Sequence, residues 1–190
     1  GRIAIGGAPL ESIDDDGFHE NIGLVPQEPF LLAASARDNI DMGRGLSRQS
    51  IEEAARQAGL DAYLRSLPDG YDTTLGEGGA RLSAGQKQLL AVARALAGQP
   101  QILLLDEATS RVDSATEQTI ARAIAALHGQ VTVMAIAHRL STIRDADNIV
   151  VLNHGQIAER GTHQQLMRLD AGIYRRLYEL QRIERPGGPA

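Results

Sequence analysis

The sequence predicts an α/β domain built on a mainly parallel sheet. Residues 102–105 and 131–137 are apolar throughout, which is typical of central parallel strands that are buried on both faces. The segments that begin at Ser83 and Ser114 instead carry apolar side chains at helical spacing. Because an alternation of strands and helices is typical of parallel sheets, these observations favour one sheet with helices packed against it.

The first part of the chain supplies another sheet strand and a helical segment. Residues 1–5 alternate in polarity and lead into two glycines, as a strand that enters a turn does. Residues 21–25 form a short apolar strand that a proline ends. Residues 35–67 are predicted to be mainly helical, and residues 68–79 form a glycine-rich loop.

The rest of the chain continues the alternation. Ser83 is placed to cap a helix that runs to residue 97, and a second helix is predicted over residues 114–127. Residues 148–159 have the pattern of a β-hairpin with a central turn. Thr162 can cap a short helix, and a last amphipathic helix follows it.

The composition argues against several classes of function. The 190 residues suffice for one domain with a sizeable core. Asp and Glu outnumber Lys and Arg by 24 to 19, which argues against the basic surface of a nucleic-acid-binding protein. The absence of cysteine excludes disulfides and thiolate metal sites. Since no apolar run approaches the length of a transmembrane helix, we expect this segment itself to be soluble.

The segment 82–86, Leu-Ser-Ala-Gly-Gln, stands at the head of a predicted helix. A helix N-terminus presents free N–H groups and a partial positive charge, which suit a phosphate. The small residues Ala84 and Gly85 would let a ligand approach the backbone closely. The same residues are also consistent with an ordinary helix that Ser83 caps.

Polar residues follow the predicted strands at positions where α/β proteins bind ligands. Asp106 and Glu107 end the first apolar strand, so one acid could order Mg²⁺ while the other orients or deprotonates a water. His138 follows the second apolar strand, and Gln27 follows the short strand near the N-terminus. Each has an ordinary alternative, since Asp106 could cap the next turn and His138 and Gln27 could be solvated polar residues.

In this order, these segments resemble the nucleotide-binding domain of ABC transporters, and the resemblance extends from residue 1 to about residue 181. The resemblance is specific because all five motifs match in sequence and occur in the family's order. The matching segments are the Q-loop VPQEPF at 25–30 with Gln27, the signature motif LSAGQ at 82–86 (usually LSGGQ), Walker B ILLLD at 102–106 with Glu107 after it, the D-loop SRVD at 110–113 with Asp113, and the H-loop AHRLST at 137–142 with His138.

The resemblance implies an incomplete P-loop NTPase of RecA-like fold. It consists of a mainly parallel α/β sheet with an inserted α-helical subdomain at about residues 33–97. The ATP-binding domain would span residues 1–184 and be truncated at its N-terminus, and residues 185–190 would form a disordered tail. The implied cofactors are ATP and Mg²⁺.

The resemblance also implies a catalytic apparatus. Glu107 would polarise the attacking water, and His138 would contact the γ-phosphate. Asp106 would help to hold Mg²⁺, which Gln27 would also sense. Catalysis would then consist mainly of positioning and charge stabilisation, as phosphoryl transfer generally does.

Further implied roles concern partners. Ser83, Ala84, Gly85 and Gln86 would clamp ATP that is held by a second nucleotide-binding domain, in a homodimer or a heterodimer. Asp113 would couple the two sites across that dimer. A transmembrane domain, on the same parent chain, would be the other partner, and no nucleic acid is implied. The parent would place this segment at the cytoplasmic face of the plasma (inner) membrane.

The sequences of several segments favour an exporter. After the Q-loop, the sequence matches exporters at Phe30, Ser35, Asn39 and Ile40, and the glycine-rich residues 73–79 resemble the exporter X-loop. The sequence of the H-loop also resembles that of exporters. The cargo stays open, because its specificity would lie in transmembrane helices and the fold does not determine it.

The P-loop pattern G-x-x-x-x-G-K-[ST] does not occur in these 190 residues. In the family it lies upstream of the segment that matches Gly1. We therefore expect a C-terminal piece of a longer chain, which by itself hydrolyses ATP negligibly. The alternative is a regulatory partner that offers its signature motif to ATP on another subunit. A DNA-repair or chromosome-structure ATPase is disfavoured, since only a compact helical segment separates Gln27 from Ser83.

Overall fold

A computed structural model describes residues 1–108, 112–136 and 143–183 of the chain. The chain divides into two compact units, with the division after Ile136.

The first unit holds the predicted sheet and most of the helices. In chain order its elements are β1 (Ala4–Ile5), β2 (Ala8–Pro9), α1 (Asp15–Asn21), β3 (Ile22–Val25), α2 (Ala36–Asp41), α3 (Arg48–Gln57), α4 (Asp61–Ser66), α5 (Ala84–Ala97), β4 (Ile102–Asp106), α6 (Ser114–Ala125) and β5 (Thr132–Ile136). Short 3-10 helices lie at Leu10–Ser12, Gly70–Asp72 and Glu77–Gly79.

The central sheet is three-stranded and parallel, in the order β3-β4-β5. Leu105 of β4 pairs with Val25 of β3 on one side and with Ala135 of β5 on the other. Because the strands run the same way, their carboxyl ends meet at one edge of the sheet. This arrangement confirms the predicted α/β fold with a parallel sheet.

Helix α5 packs closely against one face of the sheet. Leu90 and Ala93 of the helix are fully buried, as are Val25 and Leu103 of the strands. A Cβ built at Gly23 of β3 would lie 2.8 Å from the carbonyl oxygen of Ala95. Glycine at this position therefore allows α5 to approach the strand more closely than any other residue would.

The opposite face of the sheet differs from the prediction. Leu24, Met134 and Ile136 have 55–65% of their surface exposed, although the sequence predicts strand 131–137 as buried. Successive side chains of a strand point to opposite faces, so these residues lie on the face opposite α5. The prediction of burial was wrong because an apolar run shows that a strand can be covered on both faces, not that it is.

Some local elements were not predicted. The N-terminal strand is limited to β1, which pairs antiparallel with β2. Helix α1 begins after Asp14, whose side chain accepts a hydrogen bond from the N–H of Gly17 at 2.6 Å. The sequence gives little indication of this helix, because it is short, contains Gly17 and lacks a long apolar stripe.

A polar network fixes the segment that follows Gln27 onto α5. The guanidinium of Arg94 donates to the carbonyl oxygens of Asn39 and Phe30, both at 2.8 Å. The fully buried amide of Asn39 in turn accepts from the N–H of Leu32 at 2.8 Å and donates to its carbonyl at 3.1 Å. Burial, and then the charge of Arg44, lower the pKa of Arg94.

The second unit contains a hairpin and two helices. Its elements are β6 (Ile149–Asn153), β7 (Gln156–Gly161), α7 (His163–Met167) and α8 (Ile173–Ile183). The two residues between the strands have positive φ, 48° at His154 and 74° at Gly155, which suits the right-handed twist of a hairpin. The carboxylate of Glu159 accepts from the N–H groups of Ile173 and Tyr174, and so anchors the start of α8.

Among the described residues, no helix combines the length and the apolar character needed to cross a membrane.

Because Arg94 joins α5 to the chain at Phe30 and Asn39, its loss should destabilise the packing between these segments. We expect Arg94→Met to lower the free energy of unfolding by about 1–3 kcal/mol, because it leaves the carbonyls of Asn39 and Phe30 without their charged donor. Arg122→Met is the matched control, since exposed Arg122 donates to Gln118 and Thr119 of its own helix. Urea denaturation measures both changes. Equal losses in the two variants would contradict the proposed importance of the network.

Candidate functional site

The carboxyl edge of the sheet brings two of the predicted site residues together. Gln27 follows β3, and Glu107 directly follows β4. The side-chain amide of Gln27 donates a hydrogen bond to Oε2 of Glu107 at 2.5 Å. The parallel register explains this contact, because it places the ends of β3 and β4 side by side.

The backbone at Glu107 has an unusual conformation. Its φ is +48°, in the left-handed region that residues with a side chain rarely occupy. The N–H of Glu107 donates to the carbonyl oxygen of Ile136 at 3.0 Å, so β5 holds this conformation in place. Such strain costs about 1–3 kcal/mol and is concentrated at functional sites, where the surrounding structure fixes it. It turns Glu107 out of the strand at the edge where Gln27 lies.

The same edge offers oxygen ligands to a metal ion. Asp106 is the last residue of β4 and its side chain is exposed. The carboxylates of Asp106 and Glu107 and the amide oxygen of Gln27 are hard donors, which fit Mg²⁺. Within residues 1–108, 112–136 and 143–183 no group of three His, Cys, Asp or Glu side chains is arranged to hold a metal. This set suits Mg²⁺, which keeps several waters and needs few protein ligands.

The segment 82–86 forms the start of α5, as predicted. Ser83 is the N-cap, and its hydroxyl accepts from the N–H of Gln86 at 3.2 Å. In return, Oε1 of Gln86 accepts a hydrogen bond from the N–H of Ser83 at 2.9 Å, which completes a capping box. Ser83 and Ala84 are exposed, whereas Gly85 is buried. The segment is therefore a well-capped helix whose first residues are accessible.

Asp113 begins α6. Its carboxylate accepts from the N–H groups of Ala115 and Thr116, both at 3.0 Å, and from the hydroxyl of Thr116 at 2.7 Å. The N–H and then the hydroxyl of Thr116 lower the pKa of Asp113. The capping role of Asp113 was not predicted, although an Asp directly before a helical pattern is a cap signal.

His138 lies outside the described residues, and so do Ser110 and Arg111 of the D-loop segment. Two further residues that shape the site were missed from the sequence. Arg94 holds the chain after Gln27, and Thr116 contacts both Asp113 and the start of α5. Arg94 gives no local signal, because its partners are more than fifty residues away in the sequence.

Comparison with known proteins shows a consistent similarity. A family model described as ABC transporter matches residues 1–110. ABC transporter B family member 13 of Arabidopsis thaliana is 45% identical over 185 residues, which are 97% of this chain and 15% of that protein. The mitochondrial ATP-binding cassette sub-family B member 10 of Mus musculus is 42% identical over 185 residues, 95% of this chain and 26% of the relative.

A solved structure shows the same likeness in three dimensions. The structure of a bacterial Atm1-family ABC exporter with ATP bound superposes with a TM-score of 0.88 at 42% identity. The match covers 95% of this chain and 32% of that chain, and confirms the predicted P-loop NTPase type of fold. The chain thus spans less than a third of the length of each of these relatives.

The cap at Asp113 predicts a pH dependence of stability. Its folded-state pKa is lower than that of an ordinary Asp, about 3.9, so the unfolded state binds more protons at acidic pH. The stabilisation by the charge is therefore present above that ordinary value and is lost as the pH falls through the folded pKa. We expect wild type to exceed Asp113→Asn in stability near neutral pH, with a gap that closes in acid. Urea denaturation across this range measures the gap, and one that stays constant would contradict the prediction.

Proposed function

The chain belongs to the ABC transporter family, and from this membership we propose that it is the ATP-binding and ATP-hydrolysing part of an exporter. ATP binding and hydrolysis at a dimer of such domains would drive export of a substrate. The observation that carries the proposal is the contact between Gln27 and Glu107 at the carboxyl edge of the parallel sheet. It joins the two residues that the family motifs assign to water activation and to metal sensing.

The geometry at this edge supports a division of labour. Glu107 would orient the attacking water and accept its proton, because a carboxylate fixed at a strand end can hold a water in one place. The amide of Gln27 keeps Oε2 of Glu107 directed toward the end of β3. Asp106 would help to hold Mg²⁺ at the exposed end of β4. When bound, Mg²⁺ supplies charge neutralisation on the phosphate oxygens.

The start of α5 would act on the nucleotide of a second domain. Its exposed first residues, Ser83 and Ala84, leave the helix N-terminus open to a phosphate. Gly85 and Gln86 complete the proposed clamp, and Asp113 would couple the two sites. His138 stays a predicted contact of the γ-phosphate.

The proposed parent protein extends beyond these residues. We propose that the P-loop lies on another segment of the parent. The parent would also carry a transmembrane domain that ATP hydrolysis drives. The exposed apolar side chains of Leu24, Met134 and Ile136 support this, since parallel sheets are normally covered on both faces. In this proposal residues 1–184 belong to the ATP-binding domain, residues 33–97 form its helical subdomain and residues 185–190 are a tail. The domain would lie at the cytoplasmic face of the plasma (inner) membrane.

One observation favours a second candidate function. The first residues of the signature helix, Ser83 and Ala84, are exposed, whereas the P-loop pattern does not occur in the 190 residues. A chain with these properties could serve as a regulatory partner that donates its signature motif to another ATP-binding subunit. Raised ATP turnover after addition of the chain to an intact cassette domain would support this alternative, and unchanged turnover would oppose it.

The proposed role of Glu107 predicts a specific loss of turnover. In the native polypeptide that carries this segment, we expect Glu107→Gln to reduce Mg²⁺-dependent ATP hydrolysis by about 10²–10⁴-fold. ATP binding should persist, because the amide keeps the shape of the side chain. Glu20→Gln changes an exposed acid of α1 and serves as the control. Unchanged turnover in Glu107→Gln would contradict the assignment.

The proposed position of the P-loop predicts the behaviour of residues 1–190 alone. We expect this chain to hydrolyse ATP negligibly, because no residue pattern in it supplies the backbone nest and lysine that hold the β- and γ-phosphates. Phosphate release by the purified chain measures the rate. Sustained Mg²⁺-dependent turnover that Glu107→Gln abolishes would overturn the expectation.

A further inference from the structure

The buried glycine of the signature segment faces a threonine of another helix. A Cβ built at Gly85 would lie 2.6 Å from Oγ1 of Thr116, 3.1 Å from its Cγ2 and 3.3 Å from its Cβ. Gly85 lies in the first turn of α5, so helical backbone geometry there would accept any L-residue. The space that a side chain at residue 85 needs is taken up by Thr116.

Thr116 cannot easily move away from Gly85. Its hydroxyl donates to Oδ2 of Asp113 at 2.7 Å, and its N–H donates to Oδ1 of the same carboxylate at 3.0 Å. A β-branched side chain in a helix has few rotamers, and leaving this one would break the bond to Asp113. Oγ1 of Thr116 is thus both the atom that binds Asp113 and the atom nearest to Gly85.

A second close approach shows that α6 lies near the helical segments along more than one turn. A Cβ built at Gly59, just after α3, would lie 2.5 Å from Cγ2 of Thr119. Thr119 is one turn beyond Thr116 on α6. Two threonines of α6 therefore occupy space beside two glycines: Thr116 limits how closely α6 approaches α5, and Thr119 limits how closely it approaches the segment after α3.

We propose that Thr116 is a positioning residue that joins Asp113 to the start of α5, so that the D-loop end and the signature segment of one chain move together. The inference rests on the proposed function, because it concerns two segments assigned there to nucleotide and dimer contacts. The proposal also explains why residue 85 is a glycine without reference to ATP. A side chain at residue 85 would displace Thr116 and with it the cap at Asp113.

A rescue experiment tests the steric part of the proposal. In the native polypeptide, we expect Gly85→Ala to lower both the thermal unfolding midpoint and ATP turnover. The double variant Gly85→Ala with Thr116→Ala should recover both relative to Gly85→Ala, by at least about threefold in turnover, because residues in contact show non-additive effects. Gly85→Ala with Thr119→Ala is the matched control and should show no recovery. Equal impairment of both double variants would overturn the steric part.

Hydrogen exchange tests the coupling itself and needs no enzymatic activity. Thr116→Val keeps the shape of the side chain but removes the hydroxyl that binds Asp113. We expect it to raise amide exchange at residues 83–86 as well as at 113–117, and Thr116→Ser, which keeps the hydroxyl, to leave exchange at 83–86 close to wild type. Faster exchange confined to 113–117 would show that Thr116 serves only its own helix cap, and would overturn the proposal.

The two readouts separate this proposal from the proposed function. Absence of Mg²⁺-dependent ATP turnover in the wild-type polypeptide would count against the function alone. The unfolding midpoints and the exchange at residues 83–86 would still decide whether Thr116 joins the two segments.

Discussion

The parallel pairing of β4 with β3 and β5 determines where the candidate residues at the carboxyl edge of the sheet lie. It places the ends of the strands at one edge, so that Gln27 and Glu107 come within hydrogen-bond distance although they are far apart in the sequence. It also allows β5 to hold the N–H of Glu107 in its left-handed conformation. A shift of the register by one residue would move Gln27 away from Glu107 and Glu107 away from the carbonyl of Ile136.

Helix α5 connects the edge of the sheet to the other parts of the site. Its start is the capped signature segment. In its last turns, Ala95 lies against Gly23 of the sheet and Arg94 binds the carbonyl of Phe30 in the chain after Gln27. Gly85 places the same helix against Thr116, and through it near Asp113. Among the described residues, helix α5 thus carries the signature segment and contacts both the chain around Gln27 and, through Thr116, the cap at Asp113.

The sequence predicted the parts of this structure that depend on short-range patterns. The apolar run of β4, the helical spacing of α5 and the cap at Ser83 are local, and all three are found as predicted. Contacts such as that of Arg94 with Phe30 depend on how distant elements pack, and no periodicity reveals them. The exposure of Met134 was not predictable either, because the polarity of a strand does not record what covers it.

The intact mass and location of the native polypeptide test the exporter proposal most directly. An antibody to this segment would detect the product in fractionated source cells, and mass spectrometry would give its size. We expect a membrane-associated product much heavier than the 20.3 kDa of these residues. A product near 20.3 kDa outside the membrane fraction would contradict the exporter assignment and would favour the regulatory partner.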